Sequence, residues 1–379
     1  MIKVIHAADV HLDSPFRMED LQKAQARKNE LRAAFSSLIY WAKTENADFL
    51  LIAGDLFDSP HPTPDAVDFV LSQFRLIPSC RIIITPGNHD YVSSDSVWAK
   101  YTMPENVTLF TKSTLSSKKF TLNSGDIVNV YGYAFTSPIL DYNPFSKLTL
   151  EKSDEINLIV AHGNLGGDKT KDCPISLAEI RQTGADYIAL GHIHNTPGIK
   201  KVDNTYFGYS GSLEGRAFND RGERGAYKIE ISKQNGVATC RPAFFRLCKR
   251  IYAMDSLNLT GTQSYDDAVQ AIAELIKTKG YGSDTLLRLE LTGSLSPDVD
   301  LSAKKIQPLM ASLFYCEIID HTSPDFDIED LKEDPTIKGE LVRTLIPALE
   351  SEDEEMRRCA RRALKYGLSA LTGNDVSDF

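Results

Sequence analysis

Residues 185–194 read ADYIALGHIH: an apolar run closes on Gly191, and His192 and His194 follow one residue apart. The run has the length and composition of a short buried strand. Histidine is scarce in this chain, and five of its eight histidines stand just past such runs: His11, His89, His162, His192 and His194. Further apolar runs lie at residues 2–8, 49–53, 81–85, 127–131 and 157–161, with helical patterns at 21–44 and 64–76 between the early ones. This alternation predicts an α/β layered architecture in which helices cover a central sheet. Between residues 204 and 245 the pattern changes to hairpin strands with Gly and Asn turns, which closes the first domain.

The strand ends carry the chemistry. The stretch ADVH sets Asp9 and His11 two residues apart, on one face of an extended chain. The run FLLIAGD ends on Asp55, GNHD supplies Asn88, His89 and Asp90, and AHGN supplies His162. Ligands of α/β sheets gather at the carboxyl ends of strands, so five such corners can meet in space. Taken singly each corner is ordinary: GD is a common turn, GNHD a common cap or Asx-turn, and a lone His162 a satisfied core histidine. Taken together, each behind an apolar run, they form a candidate metal-ligating set. Oxygen and imidazole donors without thiolate suit Mn²⁺, Fe²⁺ or Zn²⁺ and do not choose among them.

Composition narrows the class. At 379 residues the chain exceeds one ordinary core, and 42% apolar with 25% charged residues is the balance of a water-soluble protein. No apolar run approaches the ~20 residues needed to cross a bilayer, and residues 1–5 lack the regions of a signal peptide, so the expected location is cytoplasmic with no membrane partner. The six cysteines form no CxxC pair, which predicts reduced, partly buried thiols. A net charge of −10 excludes a generally basic nucleic-acid coat. One local exception runs from Arg216 to Arg250, with nine Lys/Arg against three Asp/Glu; a solvated hairpin and a functional patch are equally good readings of it.

Three regions are expected: a first domain at 1–248, a small α+β cap at 249–322, and an acidic linker with C-terminal helices at 323–379. The cap pattern is strand 250–257, helix 264–278, strand 285–291, helix 302–312 and strand 313–319. In the tail, Ser351 and Glu354 suggest a capping box and Gly367 a helix stop. Met356, Cys359, Ala360, Ala363 and Leu364 share one face, for packing on the protein's own body or for docking a partner.

The five motifs ADVH, GDLFD, GNHD, AHGN and GHIH resemble those of the calcineurin-like metallophosphoesterase superfamily, over roughly residues 1–245. The stretches HAADVHLDSPF and AGDLFDSPHPTP, and GYSGSLEGR at 208–216, are similar to its DNA repair exonuclease branch, SbcD-like and YhaO-like. Asp58 stands three residues after Asp55, an aspartate as in the bacterial SbcD pattern, and Gly215 displaces Arg216 by one place.

The resemblance implies a layered metallophosphoesterase β-sandwich flanked by helices, and two divalent metal ions, with Mn²⁺ the leading identity. Asp9, His11 and His194 would hold the first, Asn88, His162 and His192 the second, and Asp55 would bridge them. A two-metal site activates a water that attacks a phosphodiester in line. His89 would protonate the leaving oxygen as general acid, and Asp90 would orient its imidazole. The implied function is a DNA repair nuclease, exonuclease or endonuclease, working as a homodimer on DNA. Its implied partner is an SMC-like coiled-coil ATPase docked by residues 352–366, with 337–346 as a second docking segment. The alternatives are a small-molecule phosphodiesterase or phosphatase, and a metal-binding scaffold for such an ATPase.

Overall fold

Every long strand near the predicted corners is buried on both faces, which is why each reads as an unbroken apolar run rather than an alternating one. The structure is a computed structural model and describes all residues except 19, 167–170, 296–298, 300, 302–305, 325–327 and 372–379. The chain forms two compact units, Met1–Lys249 and Arg250–Phe379.

The first unit contains two six-stranded sheets. One is built, in spatial order, from Val237–Arg246 (β14), Gly225–Gln234 (β13), Ile2–Ala7 (β1), Phe49–Ala53 (β2), Arg81–Thr85 (β3) and Val107–Leu109 (β4). The other runs Lys200–Val202 (β11), Thr205–Tyr209 (β12), Tyr187–Gly191 (β10), Ile156–His162 (β7), Ile127–Gly132 (β6) and Ser116–Thr121 (β5). A small pair, Asn164–Leu165 (β8) with Pro174–Ile175 (β9), follows β7. Strands β1, β2 and β3 are parallel, with Val4 opposite Phe49 and Phe49 opposite Arg81. Strands β7 and β10 are parallel as well, and Gly191 lies opposite His162. All five corners therefore leave the carboxyl ends of their strands.

The layers follow from the alternation within each strand. Ile5, Leu50, Ile52, Ile82 and Ile84 pack on helices Leu21–Thr44 (α1) and Pro64–Phe74 (α2). Val4, Phe49, Leu51 and Ile83 meet Leu158, Val160, Tyr187 and Ala189 between the sheets. Beyond the second sheet, Ile159, Ile188 and Leu190 pack with Ile180 of helix Leu177–Thr183 (α4). The short helix Val97–Lys100 (α3) brings the Trp98 indole N–H onto the Asp90 carbonyl. Burial of one such Leu or Phe is worth roughly 1.5–3 kcal/mol, about what a strained backbone residue costs. The sheets can thus carry the distorted corners described below.

The second unit has a parallel sheet of Ile251–Asn258 (β15), Thr285–Thr292 (β16) and Tyr315–Asp320 (β18), with Tyr265–Lys279 (α5) between the first two. Ser294–Leu295 (β17) pairs with Ser323–Pro324 (β19). Of the helix expected at 302–312, residues 302–305 lie outside the described residues. The rest is a 3₁₀ helix, Gln307–Ser312, opened by Pro308.

Three helices close the unit: Ile328–Lys332 (α6), Ile337–Leu349 (α7) and Glu354–Leu371 (α8). Helix α8 begins on Asp353, whose Oδ1 accepts from Glu355 N at 2.9 Å, so the expected Ser351/Glu354 box is not the cap. It also runs through Gly367 instead of stopping there. A Cβ at that position would lie 2.4 Å from Leu341 Cδ2 of α7, so glycine serves a close helix crossing. Ala360, Leu364 and Leu368 are buried, with Leu364 and Leu368 packed with Val342 of α7, whereas Met356, Cys359 and Ala363 are exposed. Among the described residues no helix is long and apolar enough to cross a membrane. All six cysteines are free thiols, five buried and Cys359 exposed.

Candidate metal centre

The corners are tightly bent. Asp9 and His11 (both φ 51°), Asp55 (φ 53°) and His192 (φ 102°) all take positive φ, which L-residues adopt at a cost. Gly54, at φ +88°, is obligatory for a second reason: a Cβ there would sit 2.0 Å from His162 Nδ1. Strain of this kind collects where side chains must be held for function.

Among the described residues, three groups of ligand atoms gather within 4.8 Å of one another: Asp9, His11 and His194; Asp9, Asp55 and His162; and His11, Asp58 and His89. Asp55 Oδ2 lies 3.6 Å from His11 Nε2 and 3.4 Å from His162 Nε2, so one buried carboxylate oxygen stands between imidazoles of different corners. Asp55 Oδ1 accepts from His89 N at 3.0 Å. Asp9 accepts from His192 N with both oxygens, at 2.9 and 3.1 Å.

The ring nitrogens test whether a cation fits. His162 Nδ1 donates to the Ala53 carbonyl (3.0 Å), which turns the Nε2 lone pair toward Asn88 Oδ1 at 2.9 Å and Asp55 Oδ2. Three acceptor atoms then converge, a cluster stable only around a proton or a cation. His11 Nε2 and His194 Nε2 face each other at 3.2 Å, and His11 Nδ1 stands 3.0 Å from Asp58 Oδ1, out of line for a hydrogen bond. The residues present fit divalent ions.

The electrostatics agree. Burial opposes charge on Asp55, yet His162, His11 and His89 outweigh it and hold its carboxyl down to about 2. Burial also opposes protonation of His162, but Asp55 and Asp9 prevail and raise it. His11 is depressed to about 4 by burial, against its contact with Asp58. His192 falls to about 4 through burial and the nearby His162.

His192 stacks edge-on against His162, ring centres 5.2 Å apart, while its Nε2 is 3.9 Å from Asp172 Oδ2. His89 is 43% exposed at the rim, its ring 4.7 Å from that of His11. Asp90 does not take the orienting place expected for it. Its carboxylate is fully buried and accepts from the amides of Gly87 (2.7 Å), Leu56 (2.9 Å) and Phe57 (3.2 Å), which ties two corner loops together. Burial, then Asp55, push it up to about 7. The carboxylate beside the His89 ring is Asp58, 3.8 Å from Nδ1.

A family model described as calcineurin-like phosphoesterase matches residues 2–196. The chain belongs to that family. It is 28% identical over 310 residues to the uncharacterized metallophosphoesterase YhaO of Bacillus subtilis, covering 79% of this chain and 74% of that one. It is 22% identical over 360 residues to the SbcD component of the SbcCD nuclease of Staphylococcus epidermidis, covering 88% and 90%. A crystal structure of a dimetal phosphatase from Danio rerio superposes with a TM-score of 0.41 at 10% identity, over 63% of this chain and 98% of that one. The two sequence relatives support the SbcD-like and YhaO-like branch that the motifs resemble.

This phosphoesterase also has supporting residues that sequence reading did not single out. Asp220 Oδ1 holds His194 Nδ1 at 3.0 Å and Oδ2 accepts from Arg216 N at 2.9 Å. Arg224, buried, donates to the His194 carbonyl and to Asn195 Oδ1. Tyr209 donates to Gly163 O (2.8 Å) and accepts from Leu165 N (2.9 Å), bracing the loop after His162. Arg216 bonds Asp58 and Ser14. Within the basic 216–250 segment, Lys228 pairs with Glu45, Lys233 with Asp186, Arg246 with Glu223 and Lys249 with Glu30, while Arg221 and Arg241 are exposed.

Asp220→Asn keeps the shape of the side chain but removes the charge that fixes the His194 tautomer. Metal affinity is expected to fall roughly 10- to 100-fold, read by metal titration of the folded variant. Wild-type affinity would show that Asp220 does not support the centre.

Proposed function

We propose that this phosphoesterase is a dinuclear-metal phosphodiesterase that cleaves DNA. The observation that carries the reading is the placement of Asp55 Oδ2 between His11 and His162, with Asp9, Asn88 and His194 around it and the His89 ring at the solvent rim. Asp9, His11 and His194 would hold one ion, Asn88, His162 and His192 the other, and Asp55 would face both. Bound divalent ions would polarise the phosphoryl oxygens and acidify water at the site.

The chain's own residues do the rest. Ala53 O fixes the His162 ring and Asp220 the His194 ring, so each presents Nε2 inward. His89, exposed and close to Asp58, delivers a proton to the leaving oxygen. DNA as the substrate rests on the motif resemblance and on the similarity to a nuclease component.

The test is one assay with Mn²⁺, comparing a 5′-labelled duplex, single-stranded DNA and bis-p-nitrophenyl phosphate. Cleavage of the last alone establishes a small-molecule phosphodiesterase. No cleavage of any of the three would leave the scaffold reading.

The same proposal includes a homodimer and an SMC-like coiled-coil ATPase docked through residues 352–366, with 337–346 as a second docking segment. Since Leu364 and Leu368 pack with α7, the docking face would be the outward one, where Ile337 and Met356 are exposed. Truncation at Asp334 is expected to leave an active enzyme that no longer retains its ATPase; aggregation of the truncated chain would assign the helices to self-packing instead.

A further inference from the structure

Helix α8 carries Arg357, Arg358, Arg361, Arg362 and Lys365. At 100° per residue they occupy one arc of about 140°, and all five line a cavity of about 450 Å³ beside residues 320–323. Two carboxylates, Asp320 and Glu354, share that wall, so cations outnumber anions in a chain whose overall charge is −10.

Some of the charge is already answered. Lys365 Nζ pairs with Asp320 Oδ2, Arg357 Nη1 donates to the Ser351 carbonyl, and Arg358 reaches Glu355 only at 3.7 Å across an exposed surface. Arg361 and Arg362 are exposed, and neither meets a carboxylate among the described residues. Both guanidinium groups line the same concave space, and each offers N–H donors in the fork that matches phosphate oxygens. Ser323 and Tyr366 add hydroxyls, and His321 an imidazole, to the same wall. The volume lies in the range of small-ligand sites.

We propose that this cavity is a binding site for a multivalent phosphate group, carried by a nucleotide or by a nucleic-acid strand. A multiply charged anion is indicated because the surplus is several cations held close together, more than a single carboxylate would neutralise. The site is built wholly from the second unit and does not depend on the hydrolytic reading of the metal centre.

The experiment uses the full chain in EDTA, so that divalent ions do not draw phosphate to the metal centre. Tripolyphosphate, a nucleoside triphosphate and a fluorescein-labelled oligothymidine are titrated against wild type and R361A/R362A. Binding by wild type is expected, weakened at least roughly tenfold in the double variant. The salt dependence of oligothymidine binding should flatten by about 1.4 in logarithmic slope for two lost contacts.

Equal binding of the two small probes with no gain for the strand assigns the site to nucleotides or free phosphate; much tighter strand binding assigns it to nucleic acid. Either supports the proposal. It is overturned if wild type binds none of the probes, if the double variant binds as wild type does, or if a glutamate-rich decapeptide binds as tightly as the phosphates. Hydrolysis of bis-p-nitrophenyl phosphate and the melting curve should be unchanged in R361A/R362A, so failure here is separable from failure of the metal centre.

Discussion

Asp55→Asn is expected to cost this phosphoesterase about three orders of magnitude in activity on bis-p-nitrophenyl phosphate, because the proposed two-ion site would contribute several kcal/mol to charge stabilisation. The side chain is 2% exposed and lies within 3.6 Å of imidazoles from two corners. An amide of the same shape offers one oxygen and an NH₂ group. The oxygen can still accept the His89 N–H, which leaves the NH₂ pointing at His11 and His162, where a shared anion is required. Metal content, measured on folded protein, should fall below the two ions per chain that the proposed centre would hold. An asparagine variant that kept both ions and full activity would remove Asp55 from the bridging position, and the dinuclear reading would go with it.

The substitution also shows which parts of the centre could be read from sequence. Each corner announces itself locally: an apolar run stops, and a residue with a metal-binding side chain follows at once. Parallel strands then bring Asp9, Asp55, Asn88, His162 and His194 to the same end of two stacked sheets, so local pattern and topology give the same answer. The positive φ of Asp9, His11, Asp55 and His192 was not legible, since local preference would put glycine or asparagine there and the sheets impose the strain.

Nor were the supporting carboxylates legible. Asp220 lies 26 residues from the His194 ring it holds, and only the folding of the loop between β12 and β13 joins them. Asp90 misled for the opposite reason. Adjacent to His89 in sequence, it points toward the Gly87, Leu56 and Phe57 amides, while Asp58, 31 residues away, stands beside the ring. Gly367 shows the same limit in the second unit, where a Cβ would meet the end of the Leu341 side chain on another helix.

His89→Asn would separate the proposed proton delivery from metal binding. The backbone N–H of residue 89 donates to Asp55 Oδ1 and is retained by the variant, so both ions should remain. The lost group is the rim imidazole, whose Nδ1 lies 3.4 Å from the Asp58 carbonyl and 3.8 Å from its carboxylate. Loss of a general acid typically costs ~10²–10⁴-fold in rate. The size of the loss should follow the leaving group. A p-nitrophenolate departs without a proton, so its release should slow least; an alkoxide, as released from a nucleic-acid backbone or a simple dialkyl phosphate, needs the proton most. The expected result is a metal-loaded variant whose deficit is much larger on the alkyl ester than on the nitrophenyl ester. Equal deficits on both would make His89 a phosphate-positioning residue, and full activity on both would exclude it from the chemistry.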